Sequence, residues 1–523
     1  MIYLLDFKTK LKPIRLLTLF LLITFVFSIS ACALSIVQNE NTSGTPSVLP
    51  NTLPLPPTQP AQTSTLTSHT NEYYVALNGS DQNPGSFDHP WRTIQFAVDQ
   101  ASAGDEILIL GGTYHESIQI DHSGDEEKPV LLKNFSDQSV FIQSEDLPAI
   151  SIEADFWVIK GLTLSSNAEY TLELHSSNNK ISNNIINGAV YLWGNHNLFE
   201  NNEIDGSQHS GNENGFMDDG SSSHHNIIRN NKIHDFLYRG IWTQWFTHDN
   251  LIENNLVFNI NSEKGICIDL DGASNVEYRH IVRANTVHDC GQTGIELENA
   301  YATLVENNTI YNIGLEAIQV ISYQGCDVAG EELQYGDPDG DCRGDKLDTI
   351  LQQNLIVNGG RVGGIVSYAS AGVKVYNNVI YNGTSTALFL KNDLTFSNNW
   401  DVCGNIFANN KRTEISLVEP ASLSIDQNNL IFHPDHNQAY EVRNSTSKFY
   451  NLSDWLNNFS LGTGSVEADP LFINPGTWDF QLSPSSPGVD TGCDSGIPFD
   501  FSGNSRPQGL TYDMGIFELQ SSN

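Results

Sequence analysis

Residues 264–308, KGICIDLDGASNVEYRHIVRANTVHDCGQTGIELENAYATLVENN, contain two turns of one repeating unit. Each turn has a strand that opens on Gly and Ile, first Gly265-Ile266 and then Gly294-Ile295. Along both strands, apolar residues alternate with residues that are mostly acidic. Side chains of a strand alternate between its two faces, so the two sets point in opposite directions. The pattern predicts one face that builds a core and another that presents carboxylates.

The second landmark of the unit is an Asn followed two residues later by Ile, Val or Phe. It falls at Asn184, Asn202, Asn231, Asn255, Asn285, Asn308, Asn354, Asn378, Asn405 and Asn429. The modal spacing near 24 residues, with one interval of 46, indicates stacked coils and a large insertion at 322–347. Asn tolerates left-handed turns, and its amide can bond the equivalent Asn of the next coil. We therefore predict an internal Asn ladder with a structural role.

Composition and charge limit the possible functions. The chain has 523 residues, and its repeats favour one continuous solenoid over several separate domains. With 25 Lys and Arg against 62 Asp and Glu, the formal net charge is −37. Nucleic-acid binding needs a basic surface, so we expect no nucleic-acid partner.

The N-terminal residues carry the features of a secretory signal. A basic segment precedes the apolar run 16–29, which is shorter than the roughly 20 residues of a membrane-spanning helix. The run ends in ISAC at 29–32, which resembles the bacterial lipobox, and that resemblance implies a signal peptide at 1–31 and lipid on Cys32. The alternative is an ordinary signal peptide. Residues 32–72, rich in Pro, Ser and Thr, predict a tether at the extracellular face of a bacterial membrane, with membrane contact through the anchor only.

Secretion would allow disulfides to form. Cys326 and Cys342 flank one polar loop, and we predict that they pair. Four other cysteines, Cys267, Cys290, Cys403 and Cys493, are scattered singly, and we predict buried free thiols for most of them.

Two end segments resemble a known family. YYVALNGSDQNPGSFDHPWRTIQFAVDQASAGDEILILGGTYHE, at 73–116, resembles the start of bacterial right-handed parallel β-helix proteins of the pectin-lyase-like superfamily. The resemblance implies an all-β solenoid over 73–465, with a short N-terminal capping helix around Ile94, Ala97 and Val98. Residues 466–523 resemble the closing segment of such proteins, which implies an irregular cap over the last coil.

Alignment of the Gly-Ile strands places acids in one outward column. The column contains Asp219, Gln244, Asp269 and Glu298 on four successive coils, with Glu296 beside the last. Like charges one coil apart raise carboxyl pKa values, as acid catalysis or cation binding requires. The acids are therefore candidate catalytic residues. Candidate sugar-binding residues are Trp242, Tyr323 and Tyr368, whose flat aromatic faces can stack on sugar rings. Gln244, in the outward column, is a further candidate.

This arrangement allows two reactions on a polysaccharide. Paired carboxyls suit a glycosidase. Alternatively, Ca²⁺ on the acids would neutralise a uronate while Lys264, Arg239 or Lys391 takes a proton, as in a lyase. We expect the protein to be a monomer and to be a glycoside hydrolase or a polysaccharide lyase. The alternative is a non-catalytic carbohydrate-binding or structural surface protein.

The insertion contains GDPDGDCRGD at 336–345. Asp337, Asp339, Asp341 and Asp345 supply hard oxygen ligands at a spacing used by Ca²⁺ loops. We predict that they bind Ca²⁺; the alternative is a solvated acidic loop.

Overall fold

The computed structural model describes residues 71–207, 213–219, 223–244, 247–271, 277–322, 347–368, 370–391 and 397–520. Several predictions lie outside these ranges. They concern the signal peptide, the lipidation site Cys32, most of the tether, Tyr323, the disulfide between Cys326 and Cys342, and the acidic loop of Asp337, Asp339, Asp341 and Asp345.

Within these ranges the chain winds through three sheets of 14 strands each and visits sheets 1, 2 and 3 in turn. Neighbouring strands are parallel, except for the last pair of sheet 3. The fold is a right-handed parallel β-helix, which confirms the predicted fold class.

The strands of sheet 1 are Glu72–Val75, Glu106–Ile109, Val130–Asn134, Trp157–Lys160, Lys180–Ser182, Leu198–Glu200, Ile227–Arg229, Leu251–Glu253, Ile281–Arg283, Leu304–Glu306, Ile350–Gln352, Lys374–Tyr376, Trp400–Cys403 and Leu423–Gln427. Those of sheet 2 are Gly112–Tyr114, Val140–Ser144, Thr163–Ser166, Ile185–Asn187, Glu203–Asp205, Lys232–His234, Leu256–Ile260, Thr286–Cys290, Thr309–Ile313, Leu355–Val357, Val379–Tyr381, Ile406–Ala408, Leu430–Phe432 and Val466–Glu467. Those of sheet 3 are Ile118–Ile120, Ile150–Ile152, Leu172–Leu174, Val190–Leu192, Asn214–Asp219, Arg239–Gln244, Ile266–Asp271, Thr293–Glu298, Glu316–Ile321, Gly363–Tyr368, Thr386–Lys391, Thr413–Leu417, Tyr440–Arg443 and Ser447–Tyr450. Two further pairs are Glu277–Tyr278 with Ala300–Tyr301, and Phe472–Asn474 with Asp479–Leu482.

The core is built from apolar residues in register on successive coils. On sheet 3, Ile241, Ile268, Ile295, Ile318 and Ile365 form one such column, and each is fully buried. Complete burial of a side chain of this size stabilises the fold by about 1.5–3 kcal/mol. Along each strand, the residues that alternate with these buried side chains point outward, so the outer face of sheet 3 can carry polar groups.

The predicted Asn ladder is confirmed. From Asn184 to Asn405, the backbone N–H of each ladder residue donates to the side-chain oxygen of the next, at 2.9–3.1 Å. The left-handed conformation belongs to the residue before each ladder Asn, for example Asn254 with φ 55° and Asn307 with φ 57°. The ladder amides thus satisfy the buried backbone of this turn.

A second ladder lies at the turn before sheet 1. The backbone N–H groups of Asn179, Asn197 and Asn226 donate to the next Asn side chain at 2.8–2.9 Å. At the C-terminal end of this ladder, the N–H of Asn250 donates to Nδ1 of the buried His280 at 3.3 Å. Side-chain amides therefore also bond the backbone at the turns between sheets 3 and 1 from Asn179 to Asn250.

The predicted capping helix is confirmed as Ile94–Gln100. Thr93 caps its N-terminus by accepting a hydrogen bond from the N–H of Phe96. Ile94, Ala97 and Val98 are buried in the core of the first coils. Across the described residues, no helix has the length and apolar character needed to cross a membrane. Short helical turns occur at Pro420–Ser422, His436–Gln438 and Pro475–Thr477.

A second α-helix, Leu452–Phe459, closes the other end of the core. Its Trp455 is fully buried and stacks on Tyr440 with ring centroids 4.8 Å apart. The strand before it, Ser447–Tyr450, pairs antiparallel with sheet 3 and covers the edge of that sheet.

The C-terminal segment begins with Val466–Glu467, which pairs with the strand Leu430–Phe432 of the last coil, and its later residues lie along the outer face of sheet 2. Phe480, Leu482, Met514 and Ile516 pack on outward-facing apolar residues of sheet 2, namely Leu355, Val357, Val379, Ile406, Ala408 and Leu430. These strands are apolar on both faces, so their outer face must be covered as well.

The prediction of free thiols is wrong. Cys267 forms a disulfide with Cys290, and Cys403 forms one with Cys493. The first two are separated by 23 residues, about one coil, so stacking brings them together with their Cα atoms 5.7 Å apart. The second disulfide ties the C-terminal segment to sheet 1, with Cα atoms 6.2 Å apart.

Candidate active site

One strand of sheet 3 is shifted by two residues from the alignment of the Gly-Ile landmarks. Ile268 pairs with Ile295, so Cys267 is equivalent to Gly294. Gly265 lies in the turn before the strand. The predicted equivalence of Gly265 and Gly294 is therefore wrong.

The shift changes which acids are neighbours. Asp269 pairs with Glu296, and Asp271 pairs with Glu298. The outward column that includes Glu298 is Asp219, Gln244, Asp271 and Glu298. The predicted position of Asp269 in this column is wrong, and Asp271 occupies it.

These four residues, Asp269, Asp271, Glu296 and Glu298, form what we call the carboxyl cluster. Asp269 and Glu296 are only 2% and 8% exposed. Asp271 and Glu298 are half-buried and can be reached from solvent. Paired strands lie about 4.8 Å apart, so like charges in each pair interact strongly. The cluster thus has a buried pair and an accessible pair.

Arg239 holds one side of the cluster. Its Nε donates to Oδ2 of Asp269 at 2.5 Å, and its Nη2 lies 3.9 Å from Oδ2 of Asp271. The guanidinium stacks over the ring of Trp242 at 4.1 Å. The indole N–H of Trp242 donates to Oδ2 of Asp271 at 3.3 Å. Arg239 and Trp242 thus place a cation and an N–H donor beside the Asp271 carboxyl.

Burial and like charges raise pKa values across the cluster. Burial, and then the charges of Asp271 and Asp269, raise the pKa of Glu298 to about 8 although Arg239 opposes the shift. Burial raises the pKa of Asp269 to about 6 against the effect of Arg239. Burial, followed by the charge of Asp269, raises the pKa of Glu296 well above its usual range. Near neutral pH, Glu298 therefore carries a proton.

Two buried oxygens of the cluster have no hydrogen-bond partner among the described residues: Oδ1 of Asp269 and Oε2 of Glu296. Buried polar atoms are normally paired with protein, water or an ion. Carboxylate oxygens are the ligands that Ca²⁺ and Mg²⁺ prefer. The buried pair therefore fits a hard divalent cation.

A second polar group lies farther along sheet 3. The hydroxyl of Tyr368 donates to Oε1 of Glu316 at 2.6 Å, and Nζ of Lys391 lies 4.3 Å from the centre of the Tyr368 ring. Burial raises the pKa of Glu316, while the hydrogen bond from Tyr368 opposes that shift. This group offers an aromatic ring and a cation on the same face as the cluster.

Other predicted residues lie away from the cluster. Asp219 is three strands from Glu298, about 14 Å along the sheet. The hydroxyl of Tyr191 is hydrogen-bonded to Asp219. Gln244 is buried on the strand between Asp219 and Asp271. Lys264 is exposed in a turn, so it makes a poor candidate base.

The sequence analysis missed Asp271 as a site residue. The spacing from Asn255 to Ile268 is 13 residues, against 10 from Asn285 to Ile295, and this difference signals extra turn residues. Glu316 was also missed, because it precedes the alternating part of its strand.

Two family descriptions match this chain. Residues 73–262 match the family described as Pel9A-like, right handed beta helix region, and residues 265–451 match the family described as right handed beta helix region. Both agree with the right-handed parallel β-helix described above.

Individual proteins are similar over different lengths. An uncharacterized protein, YwoF of Bacillus subtilis, is 26% identical over 475 residues, which is 79% of this chain and 91% of that protein. Pectate lyase PEL9 of Emericella nidulans is 42% identical over 86 residues, which is 16% of this chain and 21% of that lyase. A solved structure of a variant PL6 family alginate lyase, AlyGC, has a TM-score of 0.50 at 15% identity, covering 80% of this chain and 60% of that one. The structural likeness shows the shared fold.

Proposed function

We propose that this protein cleaves glycosidic bonds of a polysaccharide at the carboxyl cluster on the outer face of sheet 3. The observation that carries the proposal is the accessible pair Asp271 and Glu298: burial and neighbouring charges keep Glu298 protonated near neutral pH, and Asp271 lies beside it on the adjacent coil. Such a pair is what acid–base cleavage of a glycosidic bond requires.

Glu298 would act as the general acid. Its pKa of about 8 keeps it protonated at neutral pH, so it can donate to the leaving-group oxygen. Asp271, beside Arg239 and Trp242, would act as its partner carboxylate, the base or nucleophile. Asp269 would act as a positioning residue, because it accepts the hydrogen bond that orients Arg239.

Two reactions can use this pair. In hydrolysis, Asp271 would activate water or attack the sugar directly. In elimination, Asp271 would take the proton at C5 of a uronate, the C4–O bond would break as the C4–C5 double bond forms, and Glu298 would protonate the leaving oxygen. A divalent cation held by Asp269 and Glu296 would neutralise the uronate carboxylate. The segment that is 42% identical to a pectate lyase supports elimination. We therefore place a uronate-containing polysaccharide first among candidate substrates.

The flat ring of Trp242 and the ring of Tyr368 supply candidate sugar-binding surfaces at two points of the face. Each ring already carries a cation, from Arg239 and Lys391. These cations would attract the carboxylate groups of an acidic polysaccharide, while the rings stack on its sugars.

The test is a screen against uronate-containing and neutral polysaccharides, with and without a chelator. Unsaturated product ends indicate a lyase, and reducing ends without unsaturation indicate a hydrolase. Replacing a general acid costs about 100-fold or more in rate, so Glu298→Gln should lose that much activity. Glu173→Gln is the control, because Glu173 lies on sheet 3 several strands away.

Binding without cleavage would replace this proposal with the alternative of a non-catalytic surface protein. Equal activity of Glu298→Gln and Glu173→Gln would remove the carboxyl cluster as the site.

Lipid attachment to a membrane and a second cation site, in the acidic loop, are proposed from the sequence. Lipid on Cys32 would hold the body at the extracellular face of a bacterial membrane, and Cys32→Ser should release it from the membrane fraction.

Ca²⁺ at Asp337, Asp339, Asp341 and Asp345 should give a chelator-sensitive melting shift. The chelator-sensitive shift should be smaller in Asp339→Asn than in the native chain, and an equal shift in the two would exclude the loop as a Ca²⁺ site.

A further inference from the structure

Four histidines lie together on the turns between sheets 3 and 1: His196, His224, His225 and His248. The rings of His196 and His225 stack at 5.1 Å with 12° between their planes. The rings of His224 and His248 stack at 4.8 Å with 20° between their planes. The two stacks meet almost at right angles, with 83° between His224 and His225.

The ring nitrogens converge. One nitrogen from each of His196, His224 and His225 lies within 4.8 Å of the other two. Nδ1 of His224 and Nδ1 of His225 are only 2.8 Å apart. Two imidazole nitrogens this close need a proton or a cation between their lone pairs. The geometry is that of ligands gathered around one point.

Rigid backbone holds these side chains in place. The N–H of His196 donates to the carbonyl of His224 at 3.1 Å, and the N–H of His225 donates to that of His248 at 3.3 Å. His196 and His225 directly precede Asn197 and Asn226 of the second ladder. Sites on such fixed turns lose little entropy when a ligand binds.

A carboxylate supports the group from one side. Oδ2 of Asp249 lies 2.7 Å from Nδ1 of His248, and Asp249 also accepts two hydrogen bonds from Arg279 at 2.5 and 2.7 Å. His225, His248 and Asp249 form a second group with converging ligand atoms. Carboxylate–histidine pairs of this kind commonly support metal ligands.

We propose that His196, His224 and His225 bind one divalent transition-metal ion, with His248 and Asp249 beside it. Imidazole nitrogen is the ligand preferred by Zn²⁺, Ni²⁺ and Cu²⁺, whereas Ca²⁺ takes oxygen ligands. The site is therefore chemically distinct from the carboxyl cluster, and it stands independently of the proposed polysaccharide chemistry.

The test is calorimetric titration of the full chain, without an affinity tag and after chelator treatment, with Zn²⁺. We expect about one equivalent to bind. His225→Asn should weaken binding by at least about tenfold. Asn is chosen because His225 has φ 56°, a left-handed conformation that Asn tolerates. His196→Asn is a second variant with the same expectation, since His196 has φ 58°.

His436→Gln is the matched control. His436 is exposed and lies 3.2 Å from a carboxylate of Glu467, but it belongs to no three-ligand group in the described residues. Unchanged Zn²⁺ affinity in both Asn variants, or no binding by the native chain, overturns the proposal. Loss of binding in His234→Gln alone would also overturn it, since His234 belongs to a separate group with Asp205 and Asp235.

Discussion

Two sets of stacked polar residues occur in this solenoid, and they differ in how neighbours meet. In the Asn ladder each amide donates and accepts, so every member satisfies the next. In the carboxyl cluster each ionised side chain can only accept, so neighbours repel unless a proton, Arg239 or another cation intervenes. The same stacking thus makes a neutral, self-complementary side chain structural and a charged one reactive.

The largest expected effect is the loss of one ladder member. Asn255→Leu removes the acceptor of the Asn231 N–H at 3.0 Å and the donor to the Ile228 carbonyl at 2.8 Å. Each buried group left without a partner costs about 1–3 kcal/mol. We expect the free energy of unfolding to fall by about 3–5 kcal/mol in urea titrations.

The matched control is an exposed Asn pair. Nδ2 of Asn382 donates to Oδ1 of Asn358 at 2.7 Å at the surface. Asn382→Asp keeps a residue that tolerates φ 57° and should cost less than about 0.5 kcal/mol. Equal losses in the two variants would contradict the structural reading of the ladder.

The carboxyl cluster should show the opposite behaviour, because neutralising it should stabilise the fold at high pH. Folded Glu298 has a pKa of about 8 against an ordinary value of 4.5, so the folded state holds an extra proton between these values. Stability then falls by about 1.4 kcal/mol per pH unit as pH rises through this window. Glu298→Gln lacks this group.

The measurement compares urea unfolding of Glu298→Gln and the native chain, with chelator present, at pH 4 and pH 9. The two should unfold alike at pH 4, and the variant should be more stable by about 2–4 kcal/mol at pH 9. Parallel curves across the range would mean that Glu298 does not hold its proton.

A smaller effect is expected from Asp271. Burial is the main cause of the raised pKa of Glu298, and the charge of Asp271 is the next. Asp271→Asn replaces a like-charge carboxyl neighbour of Glu298 by a neutral amide. We expect the titration midpoint of Glu298 to fall by about one pH unit, as read from carbon-13 NMR of labelled Glu carboxyls. An unchanged midpoint would leave burial and the charge of Asp269 as the causes of the raised pKa.

Most of the fold prediction rested on the regular spacing of the Asn landmarks along the chain. The Asn landmarks identified the ladder because the Asn of each coil bonds the next, which forces regular spacing. The same argument would have found the second ladder, since Asn179, Asn197, Asn226 and Asn250 repeat the spacings 18, 29 and 24 seen from Asn184 to Asn255. The histidines were missed with it, because each lies one or two residues before one of its members.

The candidate site was only partly predictable. Glu296, Glu298, Asp269 and Trp242 were identified from their alternation with apolar residues, but the strand register depends on the length of the preceding turn. Gly265 mimics the landmark from within that turn, whereas Cys267 replaces Gly at the equivalent position. Pairwise register across coils is a property of three-dimensional packing, so no single strand pattern contains it.

The C-terminal segment also dictates an order of events during synthesis. Sheet 2 strands from Leu355 to Leu430 present an apolar outer face, and among the described residues it is covered by the C-terminal segment between Val466 and Phe517. A ribosome makes these covering residues last, so the coils are complete while that face is still bare and open to association. Formation of the disulfide between Cys403 and Cys493 would then fix the C-terminal segment to sheet 1. Until these residues pack on sheet 2, the solenoid can associate with other molecules through this apolar face.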